Sequence, residues 1–253
     1  DDGNTIPFIA RYRKEMHGSM DDQLIREFAE KLEYLRGLDK RRDEIRSLID
    51  AQEKLTDEIN LALDKAATLS ELEDIYRPYR PKRKTRASIA KEKGLEPLAN
   101  DILKQEKGFD PSKSAVDYID EEKGVTSVED AIQGAMDIIA ELVSDNAEIR
   151  KRIRNLTNAN GVLVSVATDE EKDSVYKNYY DYKEPVKKIA GHRVLAVNRG
   201  EKEGFLKVSV ETDSEKPLNS IFRAMITDKN QLCSDIIREA CTDAYQRLIY
   251  PSI

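Results

Sequence analysis

The amino-acid sequence predicts a mainly α-helical protein: a multi-helix array with a helix-turn-helix-like part and one small two-stranded β element. Three observations lead there. Apolar residues recur at three- and four-residue steps over most of the chain. Capping residues, prolines and glycines punctuate those runs at helix-terminal positions. Period-two alternation is confined to two short runs, about 162–167 and 205–210, which can pair with each other. Two helical regions are expected, 1–126 with a basic connector at 77–93, and 127–253 with the β element. The chain begins at Asp1 rather than Met and stops abruptly at Tyr250-Pro251-Ser252-Ile253, which reads as part of something longer.

Taken in order, Pro7 fits the first turn of a helix anchored by Ile6, Phe8 and Ile9, and Gly18 ends that piece. Asp21 and Asp22 stand where the dipole of the next helix favours carboxylates. Leu24, Phe28, Leu32, Leu35, Leu38, Ile45, Leu48 and Ile49 define one long amphipathic helix to about Gln52. Thr56 caps a short helix carrying Ile59, Leu63 and Ala66, and Ser70 with Glu73 predicts a capping box for Leu72 to Tyr76. Pro78 and Pro81 stop that helix, so 77–84 is expected to be a stiff exposed connector with Tyr76 and Tyr79 among its arginines. Thr85 starts a helix to Lys93, Gly94 stops it, Pro97 opens another ending near Gln105, and Pro111 begins a short one. These short helices with tight turns are the helix-turn-helix-like part.

Thr126 and Glu129 predict a second capping box. The helix that follows is apolar over most of its circumference (Val128 to Val143), which makes it the expected core. Asp145 and Glu148 start the next helix, with Ile149, Ile153 and Leu156 inward and Arg150, Lys151, Arg152 and Arg154 outward. Val162, Val164 and Val166 form the clearest strand. Thr168 and Glu171 predict a helix bearing Val175 and Tyr176, and a tyrosine cluster precedes Pro185. Residues 193–203 are readable as strand or helix. A helix after Pro217 carries Ile221, Phe222 and Met225, and a last one from about Lys229 places Leu232, Ile236, Ala240, Ala244 and Leu248 four apart and ends before Pro251.

Charge singles out the connector. Between Arg77 and Lys93 eight basic residues face one acid, Glu92, a net of +7 in 17 residues of a chain whose formal net charge is −7. Such an island on an acidic background suits an anionic backbone, and it equally suits a solvated loop or a seam of ion pairs. Cys233 and Cys241, eight residues apart on a helix, lie too far apart to bridge and read as reduced, half-buried thiols of a cytoplasmic protein. Neither a signal peptide nor a run approaching a membrane span is present. With only His17 and His192, no CxxC, no HExxH and no GK[ST] ending to the Gly200–Gly204 segment, neither a metal site, a cofactor nor a catalytic constellation is expected, and the chain does not read as an enzyme.

Three motifs carry a likeness to a known family. Asn4-Thr5-Ile6-Pro7-Phe8-Ile9-Ala10-Arg11-Tyr12-Arg13-Lys14-Glu15, the segment LEDIYRPYRPKRKTRASIAKEKGLEPLA (Leu72–Ala99), and Tyr180-Asp181-Tyr182 with Glu184-Pro185 through HRVLAVNRGEKEG (His192–Gly204) together resemble bacterial Tex-type transcription accessory proteins. The likeness spans essentially the whole chain. It implies the largely helical N-terminal region of a cytoplasmic, nucleic-acid-binding transcription factor, whose full-length relatives add an RNase H-type domain, helix-hairpin-helix motifs and an S1-type RNA-binding domain. At 17–20 the sequence His17-Gly18-Ser19-Met20 departs from the family's usual Thr-Gly-Gly-Leu, expected to be a change in a surface turn.

Two functional expectations follow. The first is a non-enzymatic helical scaffold that contributes a basic surface for DNA or RNA. Arg80, Lys82, Arg83, Lys84 and Arg86, then Arg11, Arg13 and Lys14, would make phosphate contacts that position rather than read sequence. The second is a protein-interaction module docking on the transcription or translation machinery, with the basic segment bracing inter-domain packing. Nuclease activity, if the family has it, would belong to the RNase H-type region.

Overall fold

A computed structural model of the chain describes residues 3–18, 20–227 and 229–253. Its contacts divide the chain into two compact units, Asp1–Arg80 and Pro81–Ile253. The division falls inside the basic connector, and the helices of 86–118 pack onto the long helix that starts at Val128.

Among the described residues the regular elements of the first unit are all helices. They are α1 (Ile6–Tyr12), α2 (Lys14–His17), α3 (Asp22–Asp50), α4 (Asp57–Lys65) and α5 (Leu69–Tyr76), then a 3-10 turn at Arg77–Tyr79. Gly18 closes α2 in the left-handed conformation at φ +65°. Ser19, inside the expected surface turn at 17–20, lies outside the described residues. Asp21 and Thr56 cap α3 and α4 as expected. The cap of α5 is Thr68 rather than Ser70: Thr68 Oγ1 accepts from Glu71 N, and Glu71 Oε2 accepts from the N–H of Ala67, the residue before the cap. The core joins Leu38, Ile45 and Ile49 of α3 to Leu63, Ala66, Leu72 and Tyr76. That core covers only the second half of α3. In the first half Ile25 is buried, whereas Leu24, Phe28 and Leu35 stay exposed although their spacing predicted burial.

The second unit is built on α9 (Val128–Asp145), the expected core helix. Packed against it are α6 (Arg86–Glu92), α7 (Glu96–Lys104), α8 (Pro111–Ala115) and α13 (Gln231–Asp243), the last continued by a π-helical turn, Ala244–Ile249. Gly134 explains the close approach of the α6–α7 corner: a Cβ there would stand 2.3 Å from Leu95 Cδ1. The caps of α9 and of α10 (Ala147–Asn160) are Ser127 and Asn146, one residue beyond the predicted Thr126 and Asp145. Arg150 is buried rather than outward, donating to Ser252 Oγ at 3.1 Å and to the Ser144 carbonyl at 3.5 Å.

The β element has three antiparallel strands, one more than expected. β1 (Val162–Ala167) lies between β2 (Asp181–Pro185) and β3 (Leu206–Glu211), with Leu163 opposite Glu184 and Val210. The tyrosine cluster supplies β2. The predicted helix at 168–176 does not form, because Thr168 is taken by the sheet: its N–H donates to the Phe205 carbonyl and its hydroxyl to that of Gly204. The ambiguous 193–203 is helical up to Lys202 within α11 (Gly191–Lys202), and α12 (Glu215–Met225) follows as expected. In α13 and the turn that continues it the inward residues are Cys233, Ile237, Ala240, Cys241 and Ala244, and Leu232 is exposed. A row strictly four apart drifts around a helix, whereas i, i+4, i+7, i+8, i+11 holds one face. Both cysteines are therefore fully buried, not half-buried.

Candidate nucleic-acid interface

The connector begins in the first unit. Glu73 on α5 holds two arginines there: Arg41 Nε donates to Oε1 at 2.7 Å and Arg80 Nη2 to Oε2. Both guanidinium groups lie over the Tyr76 ring, 5.8 and 5.6 Å from its centroid. Gln52 Nε2 donates to the Tyr79 carbonyl at 2.9 Å, fixing the proline-flanked backbone. Arg80 is thus part of the fold of its unit.

From Pro81 onward one cation of the island, Lys82, pairs with acids of α9. Asp130, Asp137, Glu141 and Asp145 fall at i, i+7, i+11 and i+15, so at 3.6 residues per turn they share one stripe of that helix. Lys82 Nζ pairs with Asp145 and lies 3.4 Å from Glu141 Oε1; its side chain is 29% exposed and theirs 14% and 20%. Asp137 lies 3.6 Å from Arg247 Nη2, and Arg247 is itself held by Asp243, its Nε donating at 2.9 Å. Burial pushes the Asp137 carboxyl above its ordinary value, against the opposing pull of Arg247 and Arg86. Lys93 Nζ donates to the Gly124 carbonyl at 2.7 Å, and Lys91 pairs with Glu96 at 3.0 Å. Much of the basic island is therefore a seam of ion pairs and hydrogen bonds within its own unit.

Three predicted cations stand apart from that seam. Arg83 and Arg86 are exposed and make no hydrogen bond or ion pair of 4 Å or less among the described residues. Lys84 reaches only Glu92, at 3.5 Å, with both side chains about two-thirds exposed (68% and 65%). Thr85 and Ser88 form a reciprocal capping box, Thr85 N to Ser88 Oγ at 2.8 Å and Ser88 N to Thr85 Oγ1 at 3.0 Å, which fixes the backbone at the start of α6. Arg86 lines a cleft of about 230 Å³ between α6 and α9, together with Ile89, Lys93, Asp130, Gln133 and Asp137.

Arg11, Arg13 and Lys14 are exposed in the first unit at the α1–α2 junction, with Arg13 placed 6.0 Å from the Phe8 ring centroid. His17 Nε2 donates to the Ile9 carbonyl at 3.1 Å, a local tie and nothing more. Sequence reasoning missed Asp137 and Gln133 because the apolar residues of 128–143 drew the helix as core; the i, i+7, i+11, i+15 acidic spacing was the available signal. Among the described residues no cluster of side chains suits a metal ion, and no helix is long and apolar enough to cross a membrane.

Residues 106–252 match the family model "Tex central region-like", and residues 1–50 match "Tex-like protein N-terminal domain". The chain is similar to the Bacillus subtilis protein YdcI (44% identity over all of this chain and 36% of that protein). It is similar to the "Transcriptional accessory protein Tex" of Neisseria gonorrhoeae (39% identity, 83% of this chain, 28% of that protein). It is also similar to the "S1 RNA-binding domain-containing protein 1" of Pongo abelii (30% identity, 99% of this chain, 26% of that protein). The chain spans about a third or less of the length of these curated relatives. With both family regions matched in order and the central one covering more than half of its residues, the chain belongs to the Tex family.

Proposed function

We propose that this chain is the non-enzymatic helical scaffold of a cytoplasmic transcription accessory factor and that it offers nucleic acid a small phosphate-contacting surface at Arg83, Lys84 and Arg86. The observation that carries the reading is the division of labour within the connector. Arg80, Lys82 and Lys93 are committed to protein acceptors, whereas Arg83 and Arg86 are exposed on a fixed backbone with no hydrogen-bond or ion-pair acceptor among the described residues. A cation with no protein partner is free to displace counterions from a phosphate backbone. The names of two relatives, one for transcription and one for RNA binding, point the same way. The helix pair α6–α7, turning at Gly94 and Leu95, is the part we read as helix-turn-helix-like. Arg11, Arg13 and Lys14 form a second, separate set of exposed cations in the other unit.

The test is an anisotropy titration of the chain against labelled single-stranded RNA and duplex DNA across a salt series. Binding is expected to weaken by roughly 0.7–0.9 log unit per log salt for each phosphate contact, and the R83E/K84E/R86E variant to lose most of that dependence. Salt-independent binding, or none at 50 mM salt, contradicts the proposal.

A second reading has its own observation. Leu24, Phe28 and Leu35 continue the apolar stripe of α3 beyond the point where α4 and α5 cover it, and Tyr12 and Met16 are exposed in the same unit. An uncovered stripe of that kind suits docking onto a protein of the transcription or translation machinery. Loss of such a partner in a pull-down with L24Q/F28Q, with nucleic-acid affinity retained, is the result this reading requires.

A further inference from the structure

The first unit presents a surface that phosphate contact alone does not use. Helix α1 buries none of its residues. Ile6, Ile9 and Ala10 are half-buried, whereas Phe8 and Tyr12 stand in solvent, 39% and 61% exposed. One helical turn separates these two, so their rings meet on the outer face, centroids 5.2 Å apart and planes at 43°. Phe8 backs one side of the Tyr12 ring, and the rest of that ring is open. Rings of this size ordinarily gain from burial, and this pair is left uncovered.

Cations stand directly beside the rings. Arg11, Arg13 and Lys14 are exposed, and their side chains make no hydrogen bond or ion pair of 4 Å or less among the described residues. Arg13 lies 6.0 Å from the Phe8 ring centroid. Over residues 3–18 these three cations face a single acid, Glu15. The next acids along the chain are committed: Asp21 caps α3 by accepting from Leu24 N at 2.7 Å, and Asp22 pairs with Arg26 at 2.7 Å.

A ligand that satisfies this surface needs negative charge repeated along its length and flat apolar faces. Single-stranded nucleic acid supplies both, a phosphate and an unstacked base at every nucleotide. A duplex carries the charge but turns its base faces inward onto one another. An acidic peptide carries the charge without a planar face at each residue.

We infer that the α1–α2 junction is a stacking platform for single-stranded nucleic acid, with Tyr12, backed by Phe8, against one base and Arg11, Arg13 and Lys14 on the flanking phosphates. This inference rests on the reading of the chain as a nucleic-acid-binding scaffold and adds to it a preference for single strands, which phosphate contact does not confer.

The test is an anisotropy titration of the chain against labelled dodecamers of uridine and of adenosine and against a DNA duplex of the same length. Single strands are expected to bind more tightly than the duplex. F8A/Y12A is expected to lower single-strand affinity by about five- to a hundredfold while leaving duplex affinity and the salt slope as they were, because the rings carry no charge. Y12F keeps the ring and is expected to stay within about twofold of the parent. R11E/R13E/K14E is expected to weaken single strand and duplex together. Both rings are exposed, so F8A/Y12A is expected to keep the parent's Tm; if it does not, Y12S, which spares Phe8, is read in its place. Equal single-strand affinity in the parent and the ring variant overturns the platform and leaves the phosphate reading standing. Absence of binding to every probe overturns both. Sedimentation with phosphatidylglycerol vesicles that F8A/Y12A abolishes, with single-strand affinity unchanged, overturns the platform in favour of a lipid surface.

Discussion

At the scale of single residues the clearest commitments are buried ones. Cys233 and Cys241 are fully buried, and burial pushes the Cys241 thiol up to about 12. The folded chain is therefore expected to leave both thiols unmodified by iodoacetamide at pH 8 and to release two reactive thiols on denaturation, as mass spectrometry would count. The same shift has a signed consequence for stability. Between the ordinary value of 9.0 and about 12 the folded state holds a proton that the unfolded state has lost, so stability falls as pH rises through that window. A flat alkaline limb in chemical denaturation above pH 9 would contradict this. Arg150 shows how a residue can mislead: one of four cations in an RKR-rich run, it is drawn inside by the carbonyls of Ser144 and Ser252, and nothing in its local pattern marks it from Arg152.

At the scale of elements the second unit depends on how closely α6 and α7 approach α9. Gly134 permits that approach, since a Cβ would collide with Leu95, itself buried. G134V is expected to cost about 1–3 kcal/mol through overpacking, measured by urea denaturation. A neutral effect would mean the corner yields more easily than its packing indicates. Most elements were legible in the sequence because their signals are local. Thr85, Gly94, Pro97 and Pro111 mark helix ends that the structure keeps, and the valine alternation at 162–167 gives β1. The misreadings have physical causes. Thr68 and Ser127 lie beside equally plausible caps, and Thr168 serves a sheet whose pairing is non-local. β2 was hidden because Asp181–Pro185 carries a single large aromatic, Tyr182, among charged residues and a proline, and pairing with β1 makes it a strand. The exposed row Leu24, Phe28 and Leu35 was read as core because periodicity reports which face is apolar and says nothing of what covers it.

At the scale of the molecule two hydrophobic cores share no residue, one in each compact unit. Ile45 and Ile139 are fully buried, each within its own core. I45A and I139A are each expected to cost about 2–5 kcal/mol, and to lower different unfolding transitions in calorimetry. A single transition lowered equally by both would show that the units unfold as one. The candidate site was partly legible at this scale too. The cluster of basic residues is plain in the sequence, but its partition between structure and surface is not, because the acids that neutralise Lys82 lie some sixty residues away on α9.

That partition is the central claim, and a paired comparison of charge reversals tests it most directly. K82E places a third carboxylate beside Asp145 and Glu141 and is expected to lower Tm, by about 1–3 kcal/mol of stability, while leaving the salt slope of RNA binding in the surviving folded fraction as it was. R83E/K84E/R86E is expected to do the reverse: an almost unchanged Tm, and a slope of log K against log salt reduced by roughly 2 to 2.7 if all three cations touch phosphate. If K82E abolishes binding without loss of stability, or the triple variant unfolds the chain while the slope persists, the division between structural and free cations is wrong.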